Sequence, residues 1–236
     1  MSKTRIAALF LLLAAVGAAA FALARGGREE RLGNKPVLML LTSLPLVFGE
    51  EFGLDQKGSA MFVALRSRYQ VVAVDVTDPA ALAKGKLLMM AQPRAQTADN
   101  LVALDDWVRR GGRVLLFADP LLEWPSGKAL GDPTRPPAMF ADTGLLGHWG
   151  LRLDAPDQHG PVIRAIGGNK VLTASPGSLA GTCAIDRGAL AARCTVGKGK
   201  AIVVADADLL DVEGLGDGAA GNAEAVLAQL DSVESR

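Results

Sequence analysis

The sequence predicts an α/β fold with a mainly parallel sheet and a C-terminal antiparallel portion, preceded by an N-terminal transmembrane helix. Between residues 36 and 120, continuous apolar stretches typical of buried strands alternate with helical patterns. In one strand–helix–strand unit of that region the links are so short that the two strands must be parallel neighbours joined by a right-handed crossover. A run of nineteen uncharged residues, 6–24, comes before this region.

The N-terminal run is long enough to cross a bilayer. As a helix, residues 6–24 would cover roughly 28 Å, close to the thickness of the hydrocarbon core. Lys3 and Arg5 precede the run, so a secretory signal cleaved after Ala22-Leu23-Ala24 is the alternative to an uncleaved anchor. Because signal-peptide cores usually span about 7 to 15 residues, the length favours the anchor.

These features divide the chain into three parts. We expect a membrane anchor or signal segment over residues 1–25, a polar linker over 26–35 and one α/β domain over 36–236. The expected location is the inner membrane, crossed once, with the soluble domain in the periplasm. Cleavage of the leader would instead release the domain into the periplasm.

The first three strands are continuous apolar runs that end in polar residues. Such runs are typical of parallel strands covered on both faces. A short helical pattern at Met61, Phe62 and Leu65 lies between the first two. The predicted strands are 37–41, ending at Thr42-Ser43; 71–74, ending at Asp75; and 87–91, ending at Gln92-Pro93.

The clearest unit follows the third strand. Thr97 can cap a helix whose apolar residues lie on one face, and Gly111-Gly112 ends it. Residues 113–118 then form a fourth strand that ends at Asp119-Pro120. The apolar helix positions are Leu101, Leu104, Trp107 and Val108.

The second half of the chain contains fewer long elements. Seven of the twelve prolines fall between residues 120 and 161, which predicts a mostly loop segment with a short element within 145–153. The later segments are short antiparallel strands, one last strand and a final helix. We place the antiparallel strands at 162–166, 171–174, 182–185 and 190–196, the last strand at 201–205 and the helix at 222–230.

The two cysteines flank a turn. If the turn is centred on Gly188 and Ala189, Cys183 and Cys194 lie opposite each other across a hairpin, where a disulfide is geometrically feasible. A disulfide would suit an oxidising compartment. Two unlinked buried thiols are the alternative, and the spacing disfavours a metal site.

Composition and motifs exclude several classes of protein. The 25 basic residues balance the 25 acidic ones, so no charge pattern indicates nucleic-acid binding. The letters of Gly216 to Gly221 match G-x-G-x-x-G, but no strand leads directly into them, and the chain contains no P-loop. We therefore expect no cofactor.

Three stretches resemble one family. The residues LLMMAQPRAQTADNLVALDDWVRRGGRVLLFADP at 87–120, GKGKAIVVADADLLD at 197–211 and GNAEAVLAQL at 221–230 are similar to the soluble domain of gliding-motility-type auxiliary components of ABC transporters. That family is described as an uncharacterised ABC-type transport system and resembles class I glutamine amidotransferases in fold. The resemblance implies a flavodoxin-like sheet and a membrane-tethered, extracytoplasmic module beside a transporter.

The same resemblance argues against amidotransferase chemistry. Amidotransferases carry a nucleophilic cysteine at the sharp turn after a central strand, and the corresponding turn here begins with Gln92. No thiol lies in that turn, so we expect no catalytic residue and no enzymatic activity.

Ligands of parallel α/β sheets gather where the strands end. The candidate ligand-binding residues are Ser43, Asp75, Gln92, Asp119, Asp206 and Asp208. Asp119, Asp206 and Asp208 could hold a hard cation through carboxylate oxygens, although aspartates after strands more often cap helices and fix turns. These roles are distinguishable, because a binding site needs the carboxylates in an open pocket and a capping role needs them bonded to backbone amides.

We expect a non-catalytic accessory or binding domain of an ABC-type transport system, with the membrane and the permease and ATPase subunits as partners. The alternative is a metal-dependent hydrolase or amidotransferase-like enzyme that uses the aspartates at the strand ends. A sugar-binding domain is a third possibility, disfavoured by the 5% aromatic content.

Overall fold

A computed structural model of the protein describes residues 35–48 and 58–235. The predicted anchor, 1–25, and nearly all of the predicted linker, 26–35, lie outside these residues. Within the described ranges, none of the helices combines the length and the apolar character needed to span a bilayer.

Eleven strands and six α-helices make up the described part. The strands are β1 (Val37–Thr42), β2 (Gln70–Ala73), β3 (Leu87–Ala91), β4 (Arg113–Phe117), β5 (Leu151–Asp154), β6 (Pro161–Ile166), β7 (Asn169–Ala174), β8 (Ser178–Gly181), β9 (Ala184–Ile185), β10 (Ala191–Val196) and β11 (Gly199–Val204). The helices are α1 (Ala60–Arg68), α2 (Pro79–Leu82), α3 (Ala98–Arg109), α4 (Leu145–His148), α5 (Val212–Leu215) and α6 (Asn222–Glu234).

The main sheet has seven strands in the order β2-β1-β3-β4-β11-β10-β9. The five strands from β2 to β11 are parallel, and β10 and β9 continue the sheet in antiparallel pairing. This confirms the predicted α/β class with a mainly parallel sheet and a C-terminal antiparallel portion.

The apolar strands form the core because both faces of the sheet are covered. Every residue of β3 is buried, as is all of β4 except Arg113. Helix α1 contacts α6, and α2 contacts α3. Right-handed crossovers place these two pairs of helices on opposite faces of the sheet.

Helix α3 follows the predicted pattern. The Thr97 side chain accepts a hydrogen bond from the Asn100 N–H, and Leu104 and Val108 are buried. Gly199, at the start of β11, allows the C-terminal end of α3 to lie against the sheet, because a Cβ there would be 2.0 Å from the Val108 carbonyl oxygen. The helix and its neighbouring strands therefore form one packed unit.

The antiparallel segments are distributed differently from the prediction. Strands β6 and β7 pair with each other in a separate two-stranded sheet, and β5 pairs with β8 in another. The predicted strand 182–185 is shorter, because only Ala184–Ile185 pairs with β10. The short element expected within 145–153 is α4 followed by β5.

A disulfide joins Cys183 to Cys194, with their Cα atoms 4.8 Å apart. Ile185 pairs with Ala192 and Ala184 with Arg193, so the next positions in this register are the two cysteines. The bond thus cross-links β10 to the residue that precedes β9, at one edge of the main sheet.

Candidate functional site

The polar residues predicted as ligand-binding lie where the parallel strands end. The strand order changes direction between β1 and β3, since the chain passes from β1 to β2 on one side and onward from β3 to β4 on the other. A crevice at such a position is the usual ligand site of open α/β sheets. Here two hydroxyls bridge it: Thr42 Oγ1 donates to the Ala91 carbonyl at 3.0 Å, and Ser43 Oγ donates to the Gln92 carbonyl.

Gln92 occupies the turn after β3 in a left-handed conformation, with φ of 43°. Its side chain is fully buried. The amide nitrogen Nε2 donates to the carbonyl oxygens of Asp119 and Pro137, at 3.2 and 3.1 Å, and Oε1 accepts from the Asp119 N–H at 2.9 Å. Both amide hydrogens and the amide oxygen are thus used inside the protein.

The carboxylate of Asp119 also binds backbone groups. Oδ1 accepts from the Leu121 N–H at 2.8 Å, and Oδ2 accepts from the N–H groups of Ala207 and Asp208 at 2.7 and 3.4 Å. These hydrogen bonds of Asp119 therefore connect the end of β4 to the segment that follows β11. Together with Gln92, Asp206 and Asp208, Asp119 forms what we call the strand-end cluster.

The two later aspartates have the same kind of partners. Asp206 Oδ1 accepts from the Leu209 N–H at 2.7 Å, and Oδ2 accepts from the Ala174 N–H at 3.1 Å. Asp208 Oδ2 accepts from the Glu123 N–H at 2.8 Å. The three carboxylates bond backbone amides, which is the arrangement expected for a structural role.

Burial makes these carboxylates hard to ionise. It raises the pKa of the Asp119 carboxyl from 3.8 to about 6 and that of Asp208 to about 7, against the opposing effect of the backbone N–H donors. Burial, followed by the nearby charge of Asp119, raises the pKa of Asp206 well above its usual range. Ionising the whole cluster therefore costs free energy in the folded protein.

This cost predicts a pH dependence of stability. Between about pH 4 and 7 the folded state binds more protons than the unfolded state, so the free energy of unfolding should fall as pH rises through this window. From pH 5 to pH 7.5 we expect a loss on the order of 2 kcal/mol, measured by urea denaturation. Asp208→Asn should flatten the profile, because it removes one of the titrating carboxyls. The neutral amide oxygen can still accept from the Glu123 N–H. A stability that rises over the same interval would contradict this account.

The other predicted residues are arranged less closely. Ser43 joins the cluster through the Gln92 carbonyl, whereas Asp75 is exposed after β2 and makes no contact with the cluster. Among residues 35–48 and 58–235, no group of three or more His, Cys, Asp and Glu is arranged to hold a metal ion. Ligand binding by the six residues stays a prediction.

Two residues that the sequence analysis did not select complete the network. Glu123 accepts from the Ser175 hydroxyl, and Ser175 Oγ accepts from the Gly160 N–H at 2.8 Å. Ser175 has φ of 48° and is fully buried. The following Pro176-Gly177 is a turn signal that could have directed attention to Ser175, but no local pattern indicates that this turn contacts the ends of β4 and β11.

The proline-rich segment covers part of this edge. Residues 121–140, which we call the covering loop, are closed at their base by Leu122 N–H to the Ala138 carbonyl and Phe140 N–H to the Asp119 carbonyl, at 2.9 and 2.7 Å. Arg94 Nη2 donates to the Arg135 carbonyl at 2.8 Å. Two large apolar side chains of the loop are exposed, Leu130 by 86% and Met139 by 65%.

Comparisons with known proteins give one family and a set of distant folds. The family model described as ABC-type uncharacterized transport system matches residues 35–157, more than half of the chain. No curated protein matches the sequence.

Among solved structures, cytoplasmic protein STM1381 from Salmonella typhimurium LT2 is 13% identical, with a TM-score of 0.52 over 84% of this chain and 100% of that one. Cytoplasmic protein STM3548 from Salmonella typhimurium is 10% identical, with a TM-score of 0.50 over 84% and 98%. An exo-beta-1,4-mannosidase from an Opitutaceae bacterium is 15% identical over 89% of this chain but only 36% of its own, with a TM-score of 0.47. These likenesses concern the fold alone.

Proposed function

Since the chain belongs to the family described as ABC-type uncharacterized transport system, we propose that it is a non-catalytic accessory domain of such a system, anchored in the membrane and exported from the cytoplasm. Membership rests on the match over residues 35–157, which includes the first of the three stretches that carried the resemblance. The membrane, the permease and the ATPase subunits are the proposed partners.

The use of polar groups at the strand ends supports a role without catalysis. The left-handed residue after β3 is Gln92, whose side-chain amide binds three backbone groups. A nucleophile at such a turn must be free to attack a substrate and must have a base beside it. This single observation carries the proposal, because the buried amide of Gln92 has neither property.

The finer fold assignment is part of the proposal. The five parallel strands are arranged as second, first, third, fourth and fifth in chain order, which is the flavodoxin-like order. Together with the left-handed turn after β3, it supports a gliding-motility-type module with a fold like that of class I glutamine amidotransferases.

Two features support a position outside the cytoplasm. The uncharged run 6–24 is suited to a single-pass inner-membrane anchor, with the domain in the periplasm. The Cys183–Cys194 disulfide is the kind of bond that persists in oxidising compartments. Anchoring would raise the effective concentration of the domain beside an embedded partner.

The covering loop is the proposed contact surface for an extracytoplasmic part of the transport system. The bonds from Gln92 and Arg94 hold it beside the turn after β3, so Leu130 and Met139 are presented on a held segment. Exposed apolar side chains held in one place are typical anchors of protein interfaces.

The test is copurification of the full chain from detergent-solubilised membranes. The wild type should bring down a permease and an ATPase subunit of one ABC-type system. Replacing Leu130 and Met139 together by aspartate should reduce their recovery at least about tenfold, since a buried interface charge costs several kcal/mol.

The control is Val63→Asp with Ile163→Asp, because these side chains are also exposed, by 56% and 66%, but lie on α1 and β6. Recovery of the subunits with the control variant should equal that with the wild type. Failure of the wild type to recover either subunit would refute the accessory role, and equal recovery with both variants would refute the assignment of the loop.

A further inference from the structure

Basic side chains gather where the parallel strands begin, at the edge opposite the strand-end cluster. We call this the amino edge. Five of them lie just before or within the first residues of β3, β4 and β11, in turns exposed to solvent or at the starts of the strands. They are Lys84, Lys86, Arg113, Lys198 and Lys200.

Backbone contacts place these residues on one continuous surface. The Arg113 N–H donates to the Lys86 carbonyl at 2.9 Å, which joins the starts of β3 and β4. Arg113 Nη1 donates to the Lys198 carbonyl at 3.2 Å, and the Lys200 N–H donates to the Gly112 carbonyl at 3.2 Å. The starts of three neighbouring strands therefore form one surface.

The charge of this surface is only partly neutralised. Three arginines near it pair with carboxylates, in the pairs Arg68–Asp231, Arg109–Asp105 and Arg110–Asp106. In the described part of the chain, none of the five residues named above forms a salt bridge. Lys200 and Arg113 donate to carbonyl oxygens instead.

Helix macrodipoles explain some basic residues here but not these five as a group. Arg66, Arg68 and Arg109 lie in the last turns of α1 and α3, where a positive charge offsets the negative helix end. Lys198 also lies against the end of α3, because its N–H donates to the Arg109 carbonyl at 2.9 Å, whereas Lys86 and Arg113 lie just before or at the starts of strands. The macrodipoles therefore account for only part of the positive charge at this edge.

The opposite edge carries aspartates, of which only Asp75 is exposed. Asp75 follows β2, Asp119 follows β4, and Asp206 and Asp208 follow β11. The domain therefore has a basic face at the amino edge, separated from the strand-end cluster by the length of the strands, about 20 Å.

The chain enters the domain at the basic face. Strand β1 begins at Val37, at the amino edge, and only residues 25–36 separate it from the uncharged run 6–24. Fully extended, these twelve residues reach at most about 40 Å. If the run lies in the bilayer, the start of β1 stays within that distance of the lipid surface.

We propose that the amino edge docks on anionic phospholipid headgroups of the membrane that holds the N-terminal run, so that the strand-end cluster and the covering loop face away from the bilayer. This inference rests on the proposed anchoring. Each lysine or arginine near an anionic lipid surface contributes about 1 kcal/mol, so several together can hold a tethered domain in one orientation.

The test measures lysine accessibility on the full chain in vesicles. One set of vesicles is phosphatidylcholine, and the other is equal parts phosphatidylcholine and phosphatidylglycerol. A membrane-impermeant acetylating reagent and mass spectrometry give the rate at each lysine. Lys170 is the internal reference, because it is exposed and lies next to Gly221 at the start of α6, away from the amino edge.

In anionic vesicles, acetylation at Lys84, Lys86 and Lys198 relative to Lys170 should fall at least about fivefold. Roughly 1 M salt should restore it, since screening removes the attraction. The double variant Lys84→Gln with Lys86→Gln should lose the protection of Lys198. The control, Lys170→Gln with Arg187→Gln, removes the same charge elsewhere and should keep the protection of Lys198. Lys128 is the reference in this variant, because Lys170 is replaced.

Two failures are distinguishable. If the chain floats with the vesicles but its amino-edge lysines react equally in both lipid mixtures, docking is refuted and the anchoring stands. If the chain does not float with either kind of vesicle, the proposed anchoring is refuted and this inference falls with it.

Discussion

Replacing Asp119 by alanine is expected to lower the free energy of unfolding by about 2–4 kcal/mol. The substitution leaves the N–H groups of Leu121 and Ala207 without their acceptor, now at 2.8 and 2.7 Å; Ala207 is fully buried and Leu121 is half-buried. Each unsatisfied buried donor costs about 1–3 kcal/mol. Removing one of several neighbouring carboxylates relieves some repulsion, which offsets part of the loss.

Urea denaturation of the full chain in mild detergent, followed by circular dichroism, measures this effect. Asp75→Ala is the matched control, because Asp75 also follows a parallel strand but is exposed, and we expect a change within about 0.5 kcal/mol. If the Asp119 variant were as stable as the Asp75 variant, the structural role of Asp119 would be refuted. A ligand-binding role would then become the better explanation for its place in the fold.

The second large effect is expected from the disulfide. Reducing the Cys183–Cys194 bond should lower the free energy of unfolding by about 2–3 kcal/mol, since a cross-link over a sequence separation of 11 restricts the unfolded chain. Thermal denaturation with and without a phosphine reductant measures the loss. The doubly substituted chain, Cys183→Ala with Cys194→Ala, should resemble the reduced protein and be insensitive to the reductant. Equal stability of the reduced and oxidised wild type would show that the bond does not support the fold.

The parallel half of the fold was accessible from local sequence. Strands 37–41 and 87–91 are apolar throughout, and the helix after Thr97 has a capping side chain, an apolar stripe and a Gly-Gly end. These local features agree with the packing that the sheet imposes. Such agreement is why the elements and their parallel pairing followed from the residues.

The antiparallel half was less accessible because its strands alternate less clearly with helices and can pair with several different partners. The choice of partner for a short strand depends on distant segments. Strand β8, for example, pairs with β5, about 27 residues earlier, rather than with the adjacent β7. No local pattern encodes that choice.

The candidate site shows the same division. The sequence placed Asp119, Asp206 and Asp208 at strand ends, and the structure brings them together. Some of their hydrogen-bond donors are local, but others are distant in sequence: the Asp119 carboxylate accepts from residues 88 and 89 positions later. Whether a carboxylate at a strand end binds a ligand or a backbone amide is decided by such long-range approaches, which a single sequence does not reveal.

The short, cross-linked β9 has a consequence for how copies of this domain behave when crowded together. An unpaired outer strand is a template for strand exchange and fibril growth, and the tendency to self-assemble increases with the length of the exposed strand. On this side of the main sheet the outer strand is only Ala184–Ile185, and the disulfide fixes the position of the chain next to it. The domain can therefore be concentrated on a surface with little risk of self-assembly through that side.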